Sequence, residues 1–233
     1  MAALSVLEAR GLRRSFGGLK AVDGVDLDLR PGEVHALIGP NGAGKTTLVG
    51  MLSGRVPVEA GTIRLMGEDI TRLPAQARVR RGIGYTFQIT SIYPRLSVFD
   101  NVALAVPGGD VAAEVAAALD RVGLGDRVGQ MAGELSYGHQ RLLELAMGLA
   151  LKPRVLILDE PTQGLASGEI EGFKALVREV AKGAAVLLIE HNMEVVMDLA
   201  DRVTVLTFGR VLASGTPAEV RADAAVQAAY LGG

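Results

Sequence analysis

The chain contains no cysteine. Disulfides, thiolate zinc sites and thiol nucleophiles are thereby excluded, and the composition suits a reducing compartment. Tryptophan is absent too, and aromatic residues make up only 4% of the sequence, so a core must be built mostly from Ala, Val, Leu and Ile. The 233 residues make one large domain or two small ones, and at 49% hydrophobic the chain can bury a substantial core. Neither sign of charge dominates: 24 Lys and Arg stand against 26 Asp and Glu. No overall basic field points to nucleic acid, and no nucleic-acid partner is expected. The local basic run Arg78, Arg80 and Arg81 reads as a solvated helix face. No uninterrupted apolar run approaches the roughly 20 residues needed to span a bilayer. The first residues lack the basic start and long apolar stretch of a secretion signal. A soluble chain is expected, one whose membrane role, if any, needs a separate membrane partner.

What the chain does have is the octet Gly39-Pro40-Asn41-Gly42-Ala43-Gly44-Lys45-Thr46. It fits the phosphate-binding loop pattern G-x-x-x-x-G-K-[ST] at every defined position. Gly39, Gly42 and Gly44 let the backbone turn where a Cβ would clash, so that consecutive N–H groups can face a polyphosphate. The helix that follows adds its positive N-terminal end. Lys45 can reach the β- and γ-phosphates, and the Thr46 hydroxyl can ligate Mg²⁺. Residues 39–46 together with Thr47 are the candidate nucleotide-binding segment.

Short apolar runs alternate with helical patterns, which predicts an α/β fold with a largely parallel sheet. Val25, Leu27 and Leu29 alternate with Asp26, Asp28 and Arg30, a half-buried strand of antiparallel type. Val34 to Ile38 is a buried strand that runs into the phosphate loop, and a helix from about Lys45 ends near Gly54. Further strands are expected at 61–66, 83–87, 155–159, 185–190 and 203–208. Residues 89–153 differ. They show helical patterns at 98–105, 111–122 and 137–151 and no clear strand, and read as a helical subdomain inserted between core segments 1–88 and 154–233. Near the end, Thr216-Pro217-Ala218-Glu219 carries an N-cap, a proline at the first helical position and a Glu three residues after the cap. One helix from there is expected to carry Val220, Val226 and Leu231.

Two further motifs bear on chemistry. Asp159 and Glu160 close the apolar run Val155 to Leu158, at the end of a buried strand where α/β sheets bind ligands. Asp159 is placed to help hold Mg²⁺, directly or through water, and Glu160 to polarise the water that attacks the γ-phosphate. Leu135-Ser136-Tyr137-Gly138-His139-Gln140 opens a helix, with Ser136 as N-cap and Gly138 keeping the first turn clear of side chains. Such a start can bind a second phosphate group through Ser136 and backbone N–H groups.

Taken in order, these segments resemble the nucleotide-binding subunit of an ABC transporter over nearly the whole chain. The resemblance implies a P-loop NTPase fold: a RecA-like core, an antiparallel β subdomain and the inserted helical subdomain. The family's signature motif is similar to Leu135 to His139, with Tyr137 and His139 in place of the commoner Gly and Gln. The family's architecture implies that Ser136 and Gly138 close, across a head-to-tail dimer, on ATP held by the phosphate loop of the other subunit. Phe16 matches the aromatic that stacks on adenine. Gln88 matches the glutamine that contacts Mg²⁺ and water and links the core to the helical subdomain. His191 matches the switch histidine that reaches the γ-phosphate. Where the family usually has Asp after Pro161-Thr162-Gln163-Gly164-Leu165, this chain has Ala166. That departure leaves ATP binding intact and bears on coupling between the two sites. ATP and Mg²⁺ are the implied cofactors.

Several segments resemble the amino acid importer branch: Phe16-Gly17-Gly18-Leu19-Lys20-Ala21-Val22, Thr86-Phe87-Gln88-Ile89-Thr90, the stretch Leu135 to Ala146 and the tail Tyr230-Leu231-Gly232-Gly233. Between Val102 and Leu135 the chain is shorter than many members. The branch implies a dimer with itself or a second ATPase subunit, two membrane permease subunits and a solute-binding protein. It also implies residence on the cytoplasmic face of the cell membrane. A urea or amide importer ATPase, or a lipopolysaccharide-export ATPase, would look much alike. Outside transport, a non-transport ABC ATPase and a generic phosphate-loop NTPase or kinase are the competing classes.

Overall fold

The computed structural model describes residues 5–86 and 91–231. Two strands open it, β1 (Leu7–Phe16) and β2 (Leu19–Leu29), then β3 (Val34–Ile38) and helix α1 (Lys45–Ser53). Next come β4 (Ala60–Leu65), β5 (Glu68–Asp69), α2 (Ala75–Val79) and β6 (Ile83–Tyr85). Helices α3 (Val98–Ala103), α4 (Val111–Arg121) and α5 (Tyr137–Ala150) follow, with two short 3-10 turns between α4 and α5. The chain then alternates: β7 (Val155–Asp159), α6 (Ser167–Ala181), β8 (Ala185–Ile189), α7 (Met193–Leu199) and β9 (Arg202–Thr207). It finishes with β10 (Arg210–Gly215), α8 (Pro217–Ala222) and α9 (Ala224–Leu231).

The main sheet has the order β10-β9-β3-β8-β7-β6, and every pairing except β10 with β9 is parallel. Its central strands are buried end to end. The reason is that both faces are covered, which makes such strands near-continuous apolar runs. In β7, Val155 and Ile157 join a core shared with α1 and the second sheet, while Leu156 and Leu158 join the core beneath α3 to α6. The second sheet is antiparallel, in the order β2-β1-β4-β5. The parallel strands all end on one edge, and Asp159 lies opposite Ile189 there. That edge is where open α/β sheets place their ligands.

The structure corrects two expectations. Arg78 is not on a solvated face: it is 1% exposed. Its guanidinium donates to the carbonyls of Met51 and Leu52 at 2.6 and 2.8 Å, and to those of Leu73 and Thr71 at 2.9 Å. The last carbonyls of α1 have no partner within the helix, and this cation supplies one. The C-terminal segment is two helices rather than one. Thr216 caps α8 as expected, with Glu219 answering to its backbone N–H at 2.8 Å. The chain then leaves the helix at Asp223, whose side chain accepts from the N–H groups of Ala225 and Val226 and starts α9 afresh. Three strands were not anticipated as such: β1, whose alternation is broken by register shifts around Gly11, the two-residue β5 and the edge strand β10.

Candidate active site

The phosphate loop folds as its glycines require. Gly44 sits at φ 103 immediately before α1, and a Cβ there would lie 2.2 Å from the carbonyl oxygen of Ala21. No other residue satisfies both demands. Gly54 closes α1 in the left-handed conformation, with its N–H on the carbonyls of Gly50 and Met51.

A cavity of about 470 Å³ opens beside the loop. It is lined by Asn41, Gly42, Ala43, Gly44, Lys45, Thr46 and Thr47, by Asp159 and Glu160, by Ile189, and by Phe16, Leu19, Lys20, Ala21 and Phe208. The loop, the two carboxylates and the expected aromatic thus share one space. Lys45 Nζ donates to the carbonyls of Gly39 (2.6 Å) and Pro40 (3.1 Å), the two loop residues that do not line the cavity. Burial lowers the Lys45 pKa, and the Glu160 and Asp159 carboxylates oppose that shift. Phe16, at the end of β1, is half exposed, with the Arg14 guanidinium 4.8 Å from its ring centre.

Asp159 is buried at the end of β7, and burial raises its carboxyl pKa. The hydroxyl of Tyr85 opposes this by donating to Oδ2 at 2.6 Å. Tyr85 is itself stacked under Arg55, 3.7 Å from the ring centre. Glu160 takes φ 49, a left-handed conformation, and its N–H donates to Ile189 O at 2.9 Å. His191 Nδ1 lies 3.7 Å from Glu160 Oε1, so the two residues expected to act on the terminal phosphate are neighbours. Among the described residues no cluster of three or more His, Cys, Asp or Glu could hold a metal alone. Thr46 and Asp159 supply hard oxygen donors in the same cavity. That fits Mg²⁺, which is usually held by one or two protein oxygens together with phosphate and water. Gln88 lies outside the described residues.

Behind the site sits a residue that sequence reasoning missed. Glu190, 2% exposed, accepts from the N–H and hydroxyl of Thr162 (3.1 and 2.5 Å) and from the N–H groups of His191 (3.1 Å) and Asn192 (3.2 Å). One buried carboxylate therefore ties the turn after Glu160 to the turn that carries His191. Its only sequence signal was an acidic residue ending an apolar strand, the same signal as Asp159.

Ser136 and Gly138 are not part of this cavity. Ser136 caps α5, its Oγ accepting from His139 N at 3.4 Å and lying 2.7 Å from His139 Nδ1. A Cβ on Gly138 would sit 2.2 Å from Glu169 Oε1 of α6, so a larger residue there would have to displace the Glu169 carboxylate. Glu169 in turn accepts from the N–H of Ala166 at 2.8 Å.

The ABC transporter family profile matches residues 22–163, and a profile described as branched-chain amino acid ATP-binding cassette transporter matches residues 210–233. The chain is 39% identical to the high-affinity branched-chain amino acid transport ATP-binding protein BraF of Pseudomonas aeruginosa, over 97% of this chain and 98% of the relative. It is 37% identical to the lipopolysaccharide export system ATP-binding protein LptB of Escherichia coli, over 98% of both. Among solved structures, a nucleotide-free ATP-binding cassette from an ABC transporter superposes with a TM-score of 0.90 at 27% identity, covering 97% of this chain and 99% of that one. An ABC transporter cassette in its ADP conformation gives 0.90 at 26% identity, over 99% of this chain and all of that one. With loop, carboxylates and fold in agreement, the chain belongs to the ABC transporter ATP-binding family and is an ATPase subunit of that kind.

Proposed function

We propose that this chain hydrolyses ATP to drive a membrane importer of branched-chain or related amino acids. The observation that carries the reading is the convergence of Lys45, Thr46, Asp159 and Glu160 on one cavity, with His191 beside Glu160. The loop N–H groups and Lys45 hold the β- and γ-phosphates. Phe16 takes the base. Thr46 and Asp159, with Gln88, would hold Mg²⁺, which supplies charge neutralisation at the phosphates when bound. Glu160 orients a water and accepts its proton as the water oxygen bonds to the γ-phosphorus and the bond to the bridging oxygen of ADP breaks. His191 donates to the terminal phosphate.

Ser136 and Gly138 would complete the site of a second ATPase subunit, like or unlike this one. Residues 89–153 would move against segments 1–88 and 154–233 and pass that motion to the permease at the cytoplasmic face of the membrane. No helix among the described residues is long and apolar enough to cross a membrane. The match of residues 210–233 to the branched-chain profile favours amino acid import over export, although an export ATPase is comparably similar.

Reconstitution with the cognate permease in vesicles tests this. ATP hydrolysis should rise with a solute-binding protein loaded with leucine, isoleucine or valine. Stimulation by lipopolysaccharide instead would replace the import reading. Light scattering of Glu160→Gln should show a dimer with Mg-ATP and a monomer with ADP. A monomer in both, with ATP bound, would mean that a different subunit completes the site.

A further inference from the structure

We infer that Phe208 is a second aromatic contact for the base of the bound nucleotide, opposite or beside Phe16; this rests on the nucleotide-site reading above. Phe208 is 88% exposed, more than any other large hydrophobic residue among those described. It lines the same cavity as the phosphate loop, together with Phe16 and Leu19, themselves 49% and 71% exposed. The lining therefore combines two chemistries: Lys45, Thr46, Asp159 and Glu160 on one hand, and three solvated apolar side chains on the other. A nucleoside triphosphate has the same division, a polyanion at one end and a flat π-system at the other. With the phosphates on the loop, the apolar part of the lining is left for the base.

The backbone holds Phe208 there at a cost. It is the first residue of the two-residue turn between β9 and β10, with φ 45, followed by Gly209 at φ 75. Turns with both central φ positive favour Asn, Asp or Gly at the first position, and a bulky residue is rare. The turn is also pinned. Gly209 N–H donates to Ala43 O of the phosphate loop at 2.9 Å, and Gly209 O accepts from Asp23 N at 2.8 Å. Arg210 adds a hydrogen bond to Asp23 at 2.6 Å. The backbone of the turn is thus held against the phosphate loop while the Phe208 ring stays in solvent. A ring–base contact is the use that this placement offers.

Calorimetric titration of the isolated chain with Mg-ATP and with tripolyphosphate tests the assignment. Phe208→Asn suits the left-handed turn, so it should melt at or above the wild-type temperature. Its Kd for ATP should rise about 3- to 10-fold, the effect of one aromatic pair. Its Kd for tripolyphosphate, which has no base, should stay within about twofold, and Phe208→Tyr should restore ATP affinity. Unchanged ATP affinity in Phe208→Asn, or an equal loss for tripolyphosphate, overturns the contact. Lys45→Ala is the separate control and should weaken both ligands. If Lys45→Ala weakens neither ligand, the nucleotide-site reading itself fails and takes this inference with it.

Discussion

The Tyr85 hydroxyl is bonded at 2.6 Å to Oδ2 of Asp159, the carboxylate that ends β7. The partners come from adjacent parallel strands, β6 and β7. The bond does two things. It stabilises a carboxylate that burial would otherwise push toward its neutral form, and it fixes the direction of the remaining oxygen.

Tyr85→Phe removes that donor and keeps the ring under Arg55. A hydrogen bond to a charged group is worth about 1.5–3 kcal/mol, and a loss of that size is expected in urea unfolding. The half-saturating Mg²⁺ concentration for ATP hydrolysis should rise, while ATP binding without Mg²⁺ should hold. An unchanged Mg²⁺ dependence would leave Tyr85 a purely structural role.

Glu190→Gln tests the tie between the two catalytic turns. The amide offers one acceptor oxygen where four donors now converge on two. Leaving buried donors unpaired costs about 1–3 kcal/mol. The larger expected effect is on rate: kcat at least about tenfold lower, because Glu160 and His191 lose their common support, with the Kd for ATP within twofold. A fall in ATP affinity equal to the fall in kcat would place Glu190 in binding instead.

His35 gives the fold a pH limit. It is 1% exposed, its Nδ1 facing Asp28 O at 3.2 Å and its Nε2 facing the Thr204 hydroxyl at 2.8 Å. Burial, aided by the charge of Arg202, lowers its pKa to about 3. The neutral ring is the folded form, so its contribution is complete above the unfolded value near 6.5 and is lost as pH falls from there toward 3. Stability should drop by about 2 kcal/mol between pH 7 and pH 5, before most carboxylates titrate. Denaturation at the two pH values measures it, and His35→Gln should flatten the slope.

Ala166 leaves α6 without a side-chain N-cap. The backbone is already in the extended conformation a cap requires, at φ −72 and ψ 157, and Glu169 already answers to its N–H. Ala166→Ser completes the pair and should stabilise the chain by about 1 kcal/mol, read as a higher melting temperature.

Much of this was legible before the fold was known, for a physical reason. The phosphate loop, the β7 strand with Asp159 and Glu160, and the caps at Ser136 and Thr216 are local in sequence, so composition and spacing carry them. Apart from the helix break at Asp223, what was misread or missed concerns residues whose partners are distant. Arg78 looks like one of three surface cations until α2 brings it beneath the end of α1, where its head meets the carbonyls of Met51 and Leu52. Tyr85 and Glu190 reveal a role only when parallel strands set them beside Asp159 and Thr162. Phe208 is an ordinary turn residue until the β9–β10 hairpin lands on Ala43. The break at Asp223 was local and readable, since an Asp ahead of a helical run is itself a start signal.

The most direct test is the steady-state ATP hydrolysis rate of Glu160→Gln at saturating Mg-ATP, compared with the wild-type chain. The carboxylate is expected to position and deprotonate the attacking water while the loop holds the phosphates. Turnover should therefore fall at least about 100-fold with ATP still bound, since general-base catalysis typically contributes about 10²- to 10⁴-fold. Turnover equal to wild type would contradict the assignment of Glu160 and, with it, the mechanism built on this edge of the sheet.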